Sequence, residues 1–214
     1  MNNTSVADVR VPDSKLAKAA TELVRDTETD LLFHHSSRVY YFGALAGLRQ
    51  KLKFDSELLY IGAMFHDMGL TEKYRTATER FEVDSANAAR DFLRQHGIEQ
   101  ASIDVVWDAI ALHTTPGIPR HKKPEVALVT AGVDMDVHGL GYHDVPDVQR
   151  EAVLKAHPRG DHFKEKIIQT FYDGFGYRPD TTFGTMNDDV IALLDPKFKR
   201  ANFCSIILNS AWRE

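Results

Sequence analysis

A histidine and an aspartate, His66 and Asp67, stand side by side at the end of a strongly apolar segment, residues 58–65. Neighbours on a helix point about 100° apart, so both side chains can reach one ion only if it lies off the helix end. Imidazole and carboxylate are ligands that several divalent transition metals share. An isolated His-Asp pair is more often a core histidine beside a solvated aspartate, so the pair alone does not predict a metal site.

Three further polar residues occupy apolar helix faces where an aliphatic side chain is expected. His35 lies in the apolar stripe of a predicted helix over residues 28–52, and His113 continues the stripe of a later helix. Asp136 follows Val133 by three residues, which puts both on one face. Burying several imidazoles and carboxylates is costly unless they share hydrogen bonds or a cation. Together with His66 and Asp67, these residues indicate one buried cation.

Helical periodicity dominates the chain, and strand and hairpin signals are weak. The sequence therefore predicts an all-α helical bundle, a single domain over residues 1–214. We expect an N-terminal helix within residues 1–26, the metal-site helices within about residues 27–140, and further helices over residues 141–214. Helix starts are predicted at Asp13-Ser14, Asp55, Asp84, Pro124, Asp161 and Asn187.

Composition excludes several classes of protein. The chain has one cysteine, Cys204, which rules out an internal disulfide and a cysteine-based zinc site. A net charge of -5 predicts no general attraction to nucleic acid or to an anionic membrane. The longest stretch without a charged residue is residues 201–212, shorter than the roughly 20 residues of a membrane span. We expect a cytoplasmic protein without a signal peptide, and we expect Cys204 to pack in the core.

The ordered set His35, His66-Asp67 and Asp136 resembles the H…HD…D signature of the HD-domain superfamily of metal-dependent hydrolases. The flanking sequence is similar to the branch that contains the cyanamide hydratases. This similarity runs from about residue 27 to the C-terminus, and it rests on segments 35–40, 66–71, 80–84, 111–114, 136–139 and 203–208.

The resemblance implies that His35, His66, Asp67 and Asp136 bind one divalent transition metal. Zinc or iron is expected, with manganese as an alternative, and the implied reaction is hydration of cyanamide to urea. Asp67 would both bind the metal and orient the nucleophile. Asp134 is the competing last ligand, but a step of two residues swings about 200°, so only one of the two faces the site. We choose Asp136 because it continues the face of Val133.

Some HD proteins bind two metals, and His113 and His138 could serve a second ion here. We favour a single metal, in which case His113 lines the pocket and contacts substrate or water, unless it is only a core histidine. Glu82 is predicted to be a catalytic base near the metal or a salt-bridge partner. Further candidates for the substrate pocket are Arg38, Tyr41, Phe65 and Thr114.

Three functions remain open on the sequence. The first is a hydratase or hydrolase of a small neutral molecule, and the second is a phosphohydrolase of nucleotides or phosphomonoesters. The third is a ligand-binding module that keeps its metal only for structure. An enclosed apolar pocket would favour the first function, and basic side chains converging on the metal would favour the second. The sequence leaves the oligomeric state open, with a homo-oligomer as one option.

Overall fold

The structure, a computed structural model, describes residues 5–212 of the chain. Within these residues it is all-α, and the only extended pairing is an isolated bridge between Val6 and Val9. This confirms the predicted fold class. The α-helices are α1 (Lys15–Thr27), α2 (Asp30–Arg49), α3 (Ser56–Phe65), α4 (Phe81–Gln95), α5 (Gln100–Ala111), α6 (Pro124–Val133), α7 (Asp147–Ala156), α8 (Phe163–Phe175), α9 (Asn187–Leu194) and α10 (Phe203–Leu208).

Helices α2 to α6 form the main bundle, with α2 against α6 and α4 against α5. Two glycines let α2 and α6 approach closely. A Cβ atom on Gly43 would collide with the backbone of Leu128, and one on Gly132 would collide with the backbone of Val39. The face of α2 that carries His35 is thereby held against the segment that follows α6.

The end of α3 is fixed by tight packing against α4. After Phe65 the chain passes through His66 and Asp67 into a 3-10 turn, Met68–Leu70. The backbone N–H of Gly69 donates to the hydroxyl of Ser85 at 2.7 Å, and a Cβ at Gly69 would collide with α4. These contacts hold His66 and Asp67 in place, because any shift of the turn would break its packing.

A second, smaller apolar cluster covers the end of the bundle where His66 and Asp67 lie. Helices α8 and α9 supply most of its members. They pack on Leu32 of α2, on Leu70 and on Phe81 of α4. The C-terminal helices α8 and α9 therefore cover His66 and Asp67 at this end of the bundle.

The predicted helix starts are confirmed where the cap is purely local. Ser14 and Asp55 cap α1 and α3 with their side chains, and Pro124 is in the first turn of α6. Asp84 is not a cap, since α4 already begins at Phe81 after Arg80.

Two further starts are displaced by one residue. Asn187 is the first residue of α9, and Met186 is its cap. His162, not Asp161, precedes α8. The prediction that Cys204 packs in the core is wrong, because the thiol is exposed.

None of the helices in the described part of the chain is both long enough and apolar enough to cross a membrane.

Candidate metal centre

Three buried side chains, His35, His66 and Asp67, bring potential metal ligands together at the end of α3. The Nε2 atoms of His35 and His66 are 3.2 Å apart. Oδ2 of Asp67 lies 3.6 Å from Nε2 of His35 and 3.3 Å from Nε2 of His66. Donors that each lie about 2.0–2.1 Å from one ion are separated by about 3–3.4 Å, so this spacing suits a single divalent ion.

The hydrogen bonds of the two imidazoles fix which ring nitrogen carries the proton. Nδ1 of His66 contacts the carbonyl oxygen of Ala63 at 2.7 Å, and a carbonyl can only accept. Nδ1 of His35 contacts the carboxylate of Asp136 at 2.7 Å. Both Nδ1 atoms therefore donate. Burial lowers the pKa of His66 despite the nearby Asp67 carboxylate, so this imidazole is neutral at neutral pH. Nε2 of His66 therefore presents a lone pair toward Nε2 of His35.

The carboxylate of Asp67 completes an arrangement that is unfavourable without a cation. Asp67 is 1% exposed, and its Oδ2 is buried without a hydrogen-bond partner among the described residues. That oxygen faces Nε2 of His35 and Nε2 of His66. An unsatisfied buried acceptor beside two others is costly, and a shared divalent ion removes the cost. The residues present thus fit a metal of the type that the sequence predicts.

Asp136 contacts Nδ1 of His35, on the side of the ring away from Nε2, and is not among the three converging donors. Its Oδ2 accepts from Nδ1 of His35, and Arg38 donates to both of its oxygens, at 2.8 and 2.9 Å. Arg159 adds a further bond at 2.8 Å. Burial opposes ionisation of Asp136, but the bonds from His35 and Arg38 hold its pKa below the ordinary value. The structure therefore does not bring Asp136 into the donor group with His66 and Asp67, and direct ligation by it stays a prediction.

The carboxylate–histidine pair is nevertheless an arrangement that suits a metal ligand. A histidine ligand commonly donates its other N–H to a carboxylate, which fixes the ring and raises its basicity. A π-helical turn, Asp134–His138, follows α6 and points Asp136 inward, with 2% exposure. Asp134 is partly exposed and pairs with Nδ1 of His138 at 3.0 Å. The structure thus turns Asp136 toward His35 and Asp134 toward His138.

His113 lies beside Asp67 at the inner end of a cavity. Its Nδ1 donates to the carbonyl of Ile110 at 2.6 Å, which leaves Nε2 as an acceptor 3.9 Å from Oδ1 of Asp67. Burial, reinforced by His66, lowers the pKa of His113 to about 3. The side chain is placed where the single-metal hypothesis expects it, and its role there stays a prediction. His138 is exposed and pairs with Asp134, so the structure does not bring it into the donor group.

Residues 32–137 match the family described as HD domain. The chain carries an HD domain. Members of this family are generally metal-dependent hydrolases. The match includes His35, His66, Asp67 and Asp136. No curated protein matches the chain.

A cavity of about 360 Å³ opens from the metal centre of the HD domain. His35, His66, Asp67, His113 and Thr114 line its inner end. The remaining wall is mostly apolar, and much of it comes from α8 and α9, which lie outside the matched residues. Its apolar members are Phe81, Val133, Val137, Phe163, Ile167, Ile168, Phe171, Met186 and Val190. The part of the chain beyond the HD match therefore shapes the pocket.

Glu82 lies behind the cavity wall and is fully buried. It accepts hydrogen bonds from Thr114 at 2.5 Å and from Asn187 at 3.1 Å, and it pairs with Arg80 at 3.1 Å. Burial opposes ionisation, but Arg80 and these hydrogen bonds lower the pKa of Glu82. It does not line the cavity, so its placement favours the predicted salt-bridge role over that of a catalytic base. Asn187 does line the cavity and was missed, because at the start of α9 it looks like an ordinary helix cap.

Of the four predicted pocket residues, only Thr114 lines the cavity. Arg38 is fully buried and its guanidinium is bound to Asp136. Phe65 packs on Phe92 in the main core, and Tyr41 packs on His157. These three assignments are corrected: each residue is adjacent in sequence to the site or shares its helix, but its side chain points to another neighbour.

Proposed function

We propose that this HD domain is a metal-dependent hydratase or hydrolase that acts on a small neutral molecule. One observation carries the proposal above all. The unpartnered Oδ2 of Asp67 and the Nε2 atoms of His35 and His66 converge at the inner end of a mostly apolar cavity. Such a set is stable around a divalent ion, and the cavity gives a substrate access to it.

His35, His66 and Asp67 would hold the metal. When bound, the ion supplies Lewis acidity and lowers the pKa of a coordinated water. Asp136 keeps His35 in the tautomer whose Nε2 is free, and Arg38 keeps Asp136 ionised.

His113 is the residue best placed to orient a nucleophilic water. Its Nε2 and Oδ1 of Asp67 are both acceptors and lie 3.9 Å apart. A water or a polar substrate group between them can donate to either atom. The commitment of Nδ1 to the backbone of Ile110 keeps this acceptor pointed into the cavity. We therefore expect His113 to position and polarise a water molecule or a polar substrate group, without binding the metal.

The charges around the cavity favour a neutral substrate. A phosphoryl group needs cationic side chains to bind its oxygens. Among the described residues that line the cavity, Lys164 is the sole lysine or arginine, and it is exposed at the rim. Arg38 and Arg159, which lie over the ring of Phe163, are bound to Asp136, and Arg80 is bound to Glu82. Two more carboxylates, Asp67 and Asp189, line the same space. A phosphohydrolase remains the alternative because of Lys164 alone.

The resemblance to cyanamide hydratases makes cyanamide the first substrate to test. The cavity is much larger than this molecule needs, and its walls are apolar, so we also expect nitriles with an apolar substituent to bind. A module that keeps its metal only for structure would not need an open cavity that leads to the metal ligands.

The proposal is tested by parallel product assays on metal-reconstituted protein. Urea and ammonia release are measured with cyanamide and with aromatic nitriles, and phosphate release is measured with nucleotides. We expect turnover of the neutral substrates, its loss in Asp67→Asn, and its retention in His143→Ala, a matched change at an exposed histidine. Phosphate release with no hydration would support the alternative function, and metal-loaded protein without any of these activities would contradict the enzymatic proposal.

A further inference from the structure

The buried carboxylate of Glu82 organises the polar part of the cavity wall. It is 0% exposed and does not itself reach the cavity. Its Oε1 accepts from the hydroxyl of Thr114, from the amide of Asn187 and from the guanidinium of Arg80. A carboxylate that receives three donors is a strong, fixed acceptor. The hydroxyl proton of Thr114 and one amide N–H of Asn187 are therefore directed at Glu82.

This commitment leaves acceptors on the side of the cavity. A hydroxyl has one proton, and the proton of Thr114 is used on Glu82, so its oxygen can only accept from a substrate. Asn187 turns its NH₂ group to Glu82, and its Oδ1 accepts no hydrogen bond from the residues that the structure describes. Both residues line the cavity beside the metal centre.

The other polar atoms at the inner end of the cavity are acceptors as well. Nε2 of His113 is unprotonated because Nδ1 donates to Ile110. Oδ1 of Asp67 faces it. Away from the metal ion, an anion or a pure acceptor such as an ether would meet the lone pairs of Thr114, Asn187, His113 and Asp67. A substrate group with N–H donors would satisfy them.

We propose that the site selects neutral substrates whose reacting carbon carries an amino group, such as primary amides and cyanamides, and that Glu82 is the positioning residue that sets this selectivity. The inference rests on the proposed function, since it describes the same cavity. Thr114 and Asn187 would accept hydrogen bonds from the amino group of the substrate. The apolar walls from α8 and α9 would hold the rest of the substrate.

Binding of two neutral isosteres tests the inference without requiring turnover. Benzamide and acetophenone have the same shape and the same carbonyl, but one carries NH₂ where the other carries CH₃. Their dissociation constants for zinc-loaded protein are measured by ligand-observed NMR. A site that hydrogen-bonds a substrate group discriminates strongly against an analogue that lacks it. We expect benzamide to bind at least about tenfold more tightly than acetophenone.

Glu82→Gln should reduce this preference to within about threefold, because a neutral amide can donate to Thr114 and free its hydroxyl proton for the cavity. Thr114→Val removes one acceptor from the cavity and one donor to Glu82 but keeps the carboxylate itself. It should also reduce the preference, which covers the case in which Glu82→Gln does not fold. Glu79→Gln, a matched change at an exposed residue three positions away, should leave the preference intact.

The two proposals fail in different ways. Equal binding of the two isosteres by the wild type, a preference unchanged by Glu82→Gln, or no measurable binding of either compound would overturn the inference. A clear benzamide preference in a protein that hydrates nothing would overturn the proposed reaction and leave the recognition of amino groups standing.

Discussion

Replacing Asp136 by asparagine should destabilise the protein strongly even though the two side chains have nearly the same shape. Arg38 is 0% exposed and binds both carboxylate oxygens of Asp136. An asparagine keeps only one acceptor oxygen, and its NH₂ group would face donors of Arg38 or His35. The substitution thus leaves a buried guanidinium without its counter-charge.

The size of the effect follows from what Arg38 loses and what it keeps. Breaking a buried ion pair by removing one partner costs about 3–5 kcal/mol. Nη1 of Arg38 retains its bonds to the carbonyls of His157 and Pro158, at 3.2 and 2.9 Å. We therefore expect the lower end, a loss of about 3 kcal/mol in the free energy of unfolding. For a chain of this length, that loss corresponds to a decrease in Tm of about 6–12 °C.

The assay is urea unfolding of metal-free protein, with Asp134→Asn as the matched control. Asp134 lies two residues away, is partly exposed and pairs only with His138 at the surface. Exposed pairs contribute about 0–1 kcal/mol, so the control should stay close to the wild type. If Asp136→Asn costs no more than Asp134→Asn, the inferred network around Arg38 is wrong.

The same variant separates the two roles considered for Asp136. If Asp136 only orients His35, its replacement should weaken the metal affinity by about 10–100-fold. Zinc titration of Asp136→Asn with a competing chelator measures this loss. Complete loss of metal, equal to that in His66→Ala, would show that Asp136 binds the ion directly.

Three further expectations follow from the same geometry. His113→Ala should keep metal content near wild type and lower kcat by about 10²–10⁴-fold, as measured by metal analysis and steady-state kinetics; loss of the metal would make His113 a ligand. Chelation of the metal should lower Tm by several degrees, because an ion at a thousandfold excess over its Kd stabilises the folded state by about 4 kcal/mol. An unchanged melting curve after verified removal of the metal would refute a metal that bridges α2 and α3. The hydrogen bond that Nδ1 of His138 donates to the carboxylate of Asp134 raises the pKa of His138. The stability contributed by this pair is therefore present below about pH 6.5 and is lost as the pH rises through the raised pKa. NMR titration of Asp134→Asn should show a lower His138 pKa, and an unchanged value would exclude the pair as the cause.

Local signals in the sequence predict the helices well. Hydrophobic periodicity and the caps Ser14 and Asp55 depend on neighbours within one turn, and both caps are confirmed. Asp84 shows where this fails. Its carboxylate accepts from Thr76 and from Arg178, a residue 94 positions later in the chain, and no local pattern reveals such a partner.

The metal site was predictable in its residue types but not in its arrangement. His35 is a polar residue in an apolar helix stripe, and His66 and Asp67 end a strongly apolar segment. These local patterns are enough to single the three residues out. Which edge of His35 meets Asp136 depends on the position of Arg38, which the sequence suggested for the pocket instead. Asn187 was missed for the same reason, because its contact with Glu82 joins helices that are far apart in sequence.

The central claim is that His35, His66 and Asp67 hold a divalent ion. Its most direct test is elemental analysis of the protein after reconstitution and removal of loosely bound metal. We expect about one transition-metal ion per chain in the wild type and in His143→Ala, and loss of the ion in His66→Ala. A wild type that retains no divalent ion, or a His66→Ala variant that retains the wild-type amount, would contradict the account.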